Sequence, residues 1–302
     1  MGNEFPIDQY SNITDSEKEQ IDNWPERILT HIMARYPFLT KKEEGQFIEG
    51  VQKIETTDQV SAIDQMLALL NNPHAYIEKS KENKPWGIPE MDPGLKPTGV
   101  LIENILVMKV PTMSGIKLED FENAFLPLKD KSEGLIIDLR NNGGGQSYPG
   151  YLFADKYLIK PGRRKIDSYR KIAPEGGIED RYTYSDSPNT PIYNKPIAIL
   201  VNYGTFSAAE ALVSLLKNGS DAVVIGSRTK GGRAGSDIVD IQIDGQYYSL
   251  NIPTKRFINP DGTTLEETGI KPDIHYHGTG IVGRAVDIIH SINENNERES
   301  IQ

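Results

Sequence analysis

The sequence predicts a mixed α/β protein, with a small helical N-terminal part followed from about residue 98 by a domain built on a parallel sheet. Three observations carry that expectation. Apolar residues recur at helical spacing through residues 15–72. The runs PIAILVN and DAVVIG bracket FSAAEALVSLLKNG in the strand–helix–strand order of a βαβ unit. Short Ile- and Val-rich runs of strand length alternate with glycine-rich and Asp-Gly turns.

The N-terminal part reads as three helices. The first, SEKEQIDNWPERILTHIMARYP, sets Ile21, Trp24, Ile28, Ile32 and Met33 on one stripe, with a break or fresh start at Pro25. The second runs through KKEEGQFIEGVQKI with Phe47, Val51 and Ile54, and the third is TTDQVSAIDQMLALL with Ala62, Met66, Leu69 and Leu70. Asn71, Asn72 and Pro73 end it and leave His74 just past a helix C-terminus. Residues 1–14 read as a polar lead-in and 76–97 as a proline-rich connecting loop. Beyond it, VLIENILVMKV gives two strands meeting at a Glu103-Asn104 turn. LEDFENAFLPLK gives a helix and GLIIDLR a strand. IVDIQIDGQYYSLNIPTKRF is a hairpin around Asp244-Gly245, and GIVGRAVDIIHSINEN is a closing helix. The expected division is 1–75, a helical domain; 76–97, a connection; and 98–302, the main domain.

Composition narrows the function classes. With 302 residues, 37% hydrophobic and 25% charged, the chain can bury a core without covalent staples. A net charge of -10 argues against a nucleic-acid-binding face, and GRRK is too short a basic run to change that. The absence of cysteine excludes disulfides, zinc thiolates and a cysteine nucleophile. The first residues lack the basic and apolar regions of a signal peptide, and Pro6 stands where a myristoylation signal has Ser or Thr. No run is long enough to span a bilayer. A Met-Gly start also fits the replacement of a removed leader, so the compartment stays open, as does the oligomeric state.

Two segments have the makings of chemistry. Ser207 stands where AILVN passes through Tyr203-Gly204-Thr205 into a helix beginning near Phe206. A serine there lies at the carboxyl edge of a parallel sheet, where open α/β folds bind ligands. The helix N-terminus favours developing negative charge. The same position suits a helix cap, a role open to Ser207 or Thr205. No G-x-S-x-G is present, so an α/β-hydrolase elbow is not indicated. The second segment, LRNNGGGQ at 139–146, places three glycines directly after a strand. Such a turn exposes backbone N–H groups for an oxyanion or a phosphate, or is simply tight. His74 by itself reads as a partner of a helix C-terminus. His275 and His277, with no carboxylate arranged around them, read as exposed histidines rather than a metal site.

GLIIDLRNNGGG, NYGTFSAAEA, AVVIGSRTKGG and DGTTLEETGIKPDI follow one another in an order and spacing that resembles the carboxyl-terminal-processing, or tail-specific, serine peptidases. The likeness extends to the tricorn protease core and the repeats of interphotoreceptor retinoid-binding protein, and covers roughly residues 98–275 plus NNPHAY. It implies a crotonase/ClpP-like spiral of sheets and helices and a peptide or protein substrate, with no cofactor and no metal. Family members are often extracytoplasmic. It implies Ser207 as nucleophile, with the amides of Ala208 and Gly144, flanked by Gly143 and Gly145, holding the oxyanion. Tail-specific members pair serine with a lysine in T-F-G-K-G. Here that stretch is Thr229-Lys230-Gly231-Gly232-Arg233, so the lysine position falls on Gly232 and Lys230 is the displaced alternative base. The tricorn-like branch uses a histidine with an acidic partner, which maps to His74 in NNPHAY and Glu266 in DGTTLEETG. An imidazole suits proton abstraction near neutral pH, with an acid limb expected around pH 6–7. Arg228, Lys230, Arg233, Lys255 and Arg256 would lie near the site, as substrate-carboxylate partners or as a solvated rim. About two dozen residues separate Tyr76 from Gly99, too few for the PDZ module common in the family. A catalytically inert binding protein on the same scaffold is the alternative reading. A crotonase-like enzyme acting on a thioester would share the glycine turn without needing Ser207.

Overall fold

The computed structural model describes residues 24–85, 92–160, 164–172, 178–185, 193–232, 234–258, 264 and 268–301. The lead-in at 1–14 and Ile21 therefore lie outside the described residues. The chain begins with α1 (Trp24–Arg35), α2 (Lys41–Val51) and α3 (Gln59–Ala68). Thr40 caps α2, its hydroxyl accepting from Glu43 N–H at 3.3 Å while the Glu43 carboxylate accepts from Thr40 N–H at 2.8 Å. Asp58 caps α3 by accepting from Ser61 N–H at 2.7 Å.

Those helices do not close on themselves as a free-standing bundle. Ile28, Ile32, Phe47, Ile63, Met66 and Leu67 share one core with Ile241, Ile243, Leu250 and Ile252. The latter belong to the long hairpin of β9 (Ala234–Ile243) and β10 (Gln246–Phe257), which turns at Asp244-Gly245 as expected. The 76–97 connection is also more than a loop. It contains β1 (Tyr76–Lys79), antiparallel to β10 with Tyr76 opposite Asn251, and a 3₁₀ turn at Pro93–Leu95. Two adjacent apolar residues in YIEK give no alternation to read, so the partner strand rather than local pattern makes this a strand. β5 (Arg164–Ile172) and β6 (Ile178–Ser185) complete that sheet, in the order β1-β10-β5-β6 with β9 on the other side of β10.

The second sheet positions the chemistry. It contains β2 (Thr98–Ile102), β3 (Ile105–Lys109), β4 (Gly134–Asp138), β7 (Ile197–Val201), β8 (Val223–Gly226) and β11 (Ile274–His275), ordered β11-β8-β7-β4-β3-β2. Only the β2–β3 pair is antiparallel, turning at Glu103 and Asn104 with φ of 48° and 63°. Every residue of β4 and β7 is buried, which is why GLIID and IAILV read as unbroken apolar runs. One face packs on α4 (Leu118–Phe125), α5 (Tyr148–Tyr157) and α6 (Ala208–Gly219) through Phe121, Phe125, Phe153, Leu212 and Leu216. The other packs on α7 (Ile281–Ile301) through Ile281, Ala285, Val286 and Ile289. This is the mixed α/β core the sequence predicts. Among the described residues no helix is long and apolar enough to cross a membrane.

Candidate active site

Three adjacent parallel strands deliver three loops to one sheet edge. β4 ends in the Asn-Asn-Gly-Gly-Gly turn, β7 leads to Ser207, and β8 leads to Thr229-Lys230-Gly231-Gly232. Because β4 and β7 pair directly, the glycine turn and the serine loop are neighbours. Side chains fasten them together. Asn202 Nδ2 donates to Asn141 Oδ1 at 2.9 Å, and Asn141 N–H donates to Asn202 Oδ1 at 2.9 Å. Fully buried Asn142 donates through Nδ2 to Val110 O at 2.8 Å and accepts Phe206 N–H on its carbonyl at 3.0 Å. The Thr205 hydroxyl donates to Leu139 O at 2.8 Å, so Thr205 ties the two loops rather than capping α6.

Ser207 precedes α6 with φ 56° and ψ -120°, a conformation a side chain rarely adopts. Such strain costs on the order of 1–3 kcal/mol and persists where the surroundings enforce it. Its Oγ lies 3.0 Å from His74 Nε2. His74 comes from the other part of the molecule, between α3 and β1, where its N–H donates to Asn72 Oδ1 at 2.9 Å. His74 is 7% exposed, and its ring stacks on Phe206 with centroids 4.8 Å apart and planes 13° apart. Burial, and next the Lys230 ammonium, push its pKa down to about 4. Its Nδ1 is buried and has no hydrogen-bond partner among the described residues.

Lys230 places its Nζ 4.6 Å from the centre of the Phe206 ring. Gly232, at the family's lysine position, lies so close to that ring that any side chain there would collide with it. Gly144 has φ 96°, and a Cβ there would stand 2.7 Å from Ser207 Cβ. Its N–H donates to Asn142 Oδ1 at 2.9 Å, so the amide expected from sequence as an oxyanion donor is engaged within the turn. Ala208 is the first residue of α6, where backbone N–H groups have no intrahelical partner. Glu266, with its neighbour Glu267, lies outside the described residues, as does Arg233. The flanking Thr264 and Thr268 line a cavity of about 650 Å³ together with Asn71, Asn72, Pro73 and Arg256. Arg228 Nη1 donates to Thr268 O at 2.8 Å, Arg256 lies 5.6 Å from the Phe38 ring, and Lys255 Nζ lies 5.7 Å from the Tyr169 ring.

Sequence reasoning missed Glu210, which is fully buried and accepts Ser207 N–H at 3.0 Å. The spacing of Ser207 and Glu210, the S-x-x-E of a capping box, was the available signal. It also missed Phe206, which no pattern announces. His275 Nδ1 lies 2.9 Å from Gly226 O, and among the described residues no three potential metal ligands cluster.

Comparison with known proteins finds relatives of the main sheet domain. A C-terminal processing peptidase of chloroplasts from Tetradesmus obliquus is 30% identical over 179 residues, 59% of this chain and 36% of that protein. A carboxy-terminal processing protease of Bacillus subtilis (strain 168) is 29% identical over 166 residues, 55% of this chain and 32% of that protein. The chain thus spans about a third of the length of the curated relatives it matches. A lipoprotein structure from Streptococcus agalactiae superposes with a TM-score of 0.63 at 18% identity, covering 88% of this chain and 95% of that one, a likeness of fold. The model of peptidase family S41 matches residues 104–276, from β3 to the end of the sheet, and the chain belongs to that family.

Proposed function

We propose that this chain is a serine peptidase that cleaves peptide or protein substrates through an acyl-enzyme on Ser207, with His74 as general base. The observation that carries the reading is the 3.0 Å approach of His74 Nε2 to the hydroxyl of a serine held in strained geometry at the mouth of α6. His74 Nε2 takes the Ser207 proton as Oγ attacks the scissile carbonyl. It then returns that proton to the leaving amine, and repeats the transfer with water to release the acyl group. A lowered pKa keeps the imidazole unprotonated, and so able to accept, across the neutral range.

The developing oxyanion meets Ala208 N–H at the start of α6 and an amide of the glycine turn. Gly144 supplies that second donor by exchanging Asn142 Oδ1 for the oxyanion, a charged and therefore stronger acceptor, with Gly143 and Gly145 beside it. Glu266 completes the site by accepting from His74 Nδ1 and fixing the tautomer. Support comes from the unpartnered Nδ1 and from Thr264 and Thr268, which line the same cavity as Asn72 and Pro73. Relatives named for carboxyl-terminal processing make cleavage towards the carboxyl end of a chain the substrate mode proposed here.

The test is a fluorophosphonate probe with the modified peptide mapped by mass spectrometry. The expected result is a single adduct on Ser207, together with hydrolysis in a peptide library. A folded chain that takes no label would instead be the inert binding protein. Gly144→Val is expected to lower turnover by roughly 10²-fold or more, the scale of one lost oxyanion donor, because its side chain would press on Ser207 Cβ and Phe206 O. Parallel losses of melting temperature and activity would assign the glycines to the turn alone.

A further inference from the structure

Glu210 is the second residue after Ala208 in α6 and has no exposed surface. Three donors from two segments converge on its carboxylate. Oε2 accepts Ser207 N–H at 3.0 Å, while Oε1 accepts Gly231 N–H at 3.0 Å and the Thr229 hydroxyl at 2.5 Å. A helix cap would explain only the first. Thr229 extends the chain of contacts, since its Oγ1 accepts Ile270 N–H at 2.6 Å and its own N–H donates to Ile270 O at 3.2 Å. One buried carboxylate thus links the serine backbone to the loop carrying Lys230 and, through Thr229, to the segment at Ile270.

We infer that Glu210 is a positioning residue that holds Ser207 in its strained backbone conformation and registers it against the Thr229–Gly231 loop. The inference rests on Ser207 being the nucleophile. At φ 56° and ψ -120° the serine is not held by its own preferences; the bond from its N–H to Glu210 is the fixed point that prevents the peptide from turning. A buried acceptor in a low-dielectric interior makes that bond stiff as well as strong. Gly231 N–H and the Thr229 hydroxyl anchor the carboxylate in turn, so the acceptor does not follow the serine if it relaxes.

Isosteric Glu210→Gln tests this. Both carboxylate oxygens receive an N–H, so a glutamine must face its NH₂ towards either Ser207 N–H or Gly231 N–H, and one anchor is lost whichever way it turns. With the parent labelled at Ser207 by a fluorophosphonate as the baseline, Glu210→Gln is expected to label roughly 10²-fold more slowly, the scale of a small misplacement of reacting atoms. Its kcat should fall in step while KM and the acid limb of the pH profile stay in place, because substrate contacts and His74 are untouched. Labelling and turnover within twofold of the parent would overturn the inference. If Glu210→Gln does not fold, Thr229 decides: slowed labelling in Thr229→Val, recovered in Thr229→Ser, upholds it, and a parental rate in Thr229→Val overturns it. A parent that takes no label at Ser207 would instead remove the peptidase reading beneath it.

Discussion

Ser207→Ala is expected to leave a folded protein whose peptidase turnover falls by about 10⁴-fold or more, the usual cost of removing a nucleophile. Alanine keeps the Cβ, so the strained backbone remains and stability should change little. Ser207→Gly separates the two properties further. It should be equally inactive yet more stable by about 1 kcal/mol, because glycine accepts φ 56° without strain and gives back only part of that gain as chain entropy. Turnover on a peptide library and thermal melts of the three proteins measure both effects. Parental turnover in Ser207→Ala would end the assignment.

His74→Ala is expected to lose activity on a similar scale, since His74 Nε2 is the hydrogen-bond partner of Ser207 Oγ that would take its proton. Lys230→Ala should keep most of its turnover, and its effect should appear in the pH profile. Sequence alone suggests an acid limb around pH 6–7, but burial and the Lys230 ammonium hold His74 near 4, so the limb of kcat/KM moves down to about pH 4. Removing Lys230 lifts one of those two causes, and the limb should rise towards the ordinary imidazole value. If instead His74→Ala retains turnover and Lys230→Ala loses it, the base is the lysine. The same shift has a consequence for stability. The unfolded chain takes up a proton on His74 near pH 6.5 and the folded chain only near 4. That contribution is therefore fully present above 6.5 and drains away as pH falls towards 4, by about 3 kcal/mol in all. His74→Gln should flatten the acid side of a melting-temperature profile accordingly.

Much of this arrangement follows from local pattern. GLIID and IAILV are unbroken apolar runs because both faces of their sheet are covered, and FSAAEALVSLLKNG is a crossover helix between paired parallel strands. The Glu103-Asn104 and Asp244-Gly245 turns have the positive φ their residues suggest. What pattern could not supply depends on distant partners. β5 and β6 (RKIDSYRKI and IEDRYTYS) carry polar and charged residues throughout and exist by pairing with one another, Arg170 with Asp180 among them. α5 opens on Tyr148-Pro149 with a weakly patterned face. The site divides in the same way. Ser207 and the glycine turn stand out in their own segments, and His74 through the resemblance of NNPHAY. Glu210 was hidden as a helical residue, because its importance comes from Thr229 and Gly231, some twenty positions away.

Phe206 also couples two positions of the site, His74 and Gly232. A lysine arriving at 232 meets the aromatic ring, so the ring must shrink first. A smaller residue at 206, however, takes away the face on which His74 lies. Either single step is expected to weaken the proposed His74 base, so a lysine at 232 calls for the paired exchange Phe206→Ala with Gly232→Lys. Packing around Phe206 thus ties the residue that fits at 232 to the seat of His74, the base proposed here.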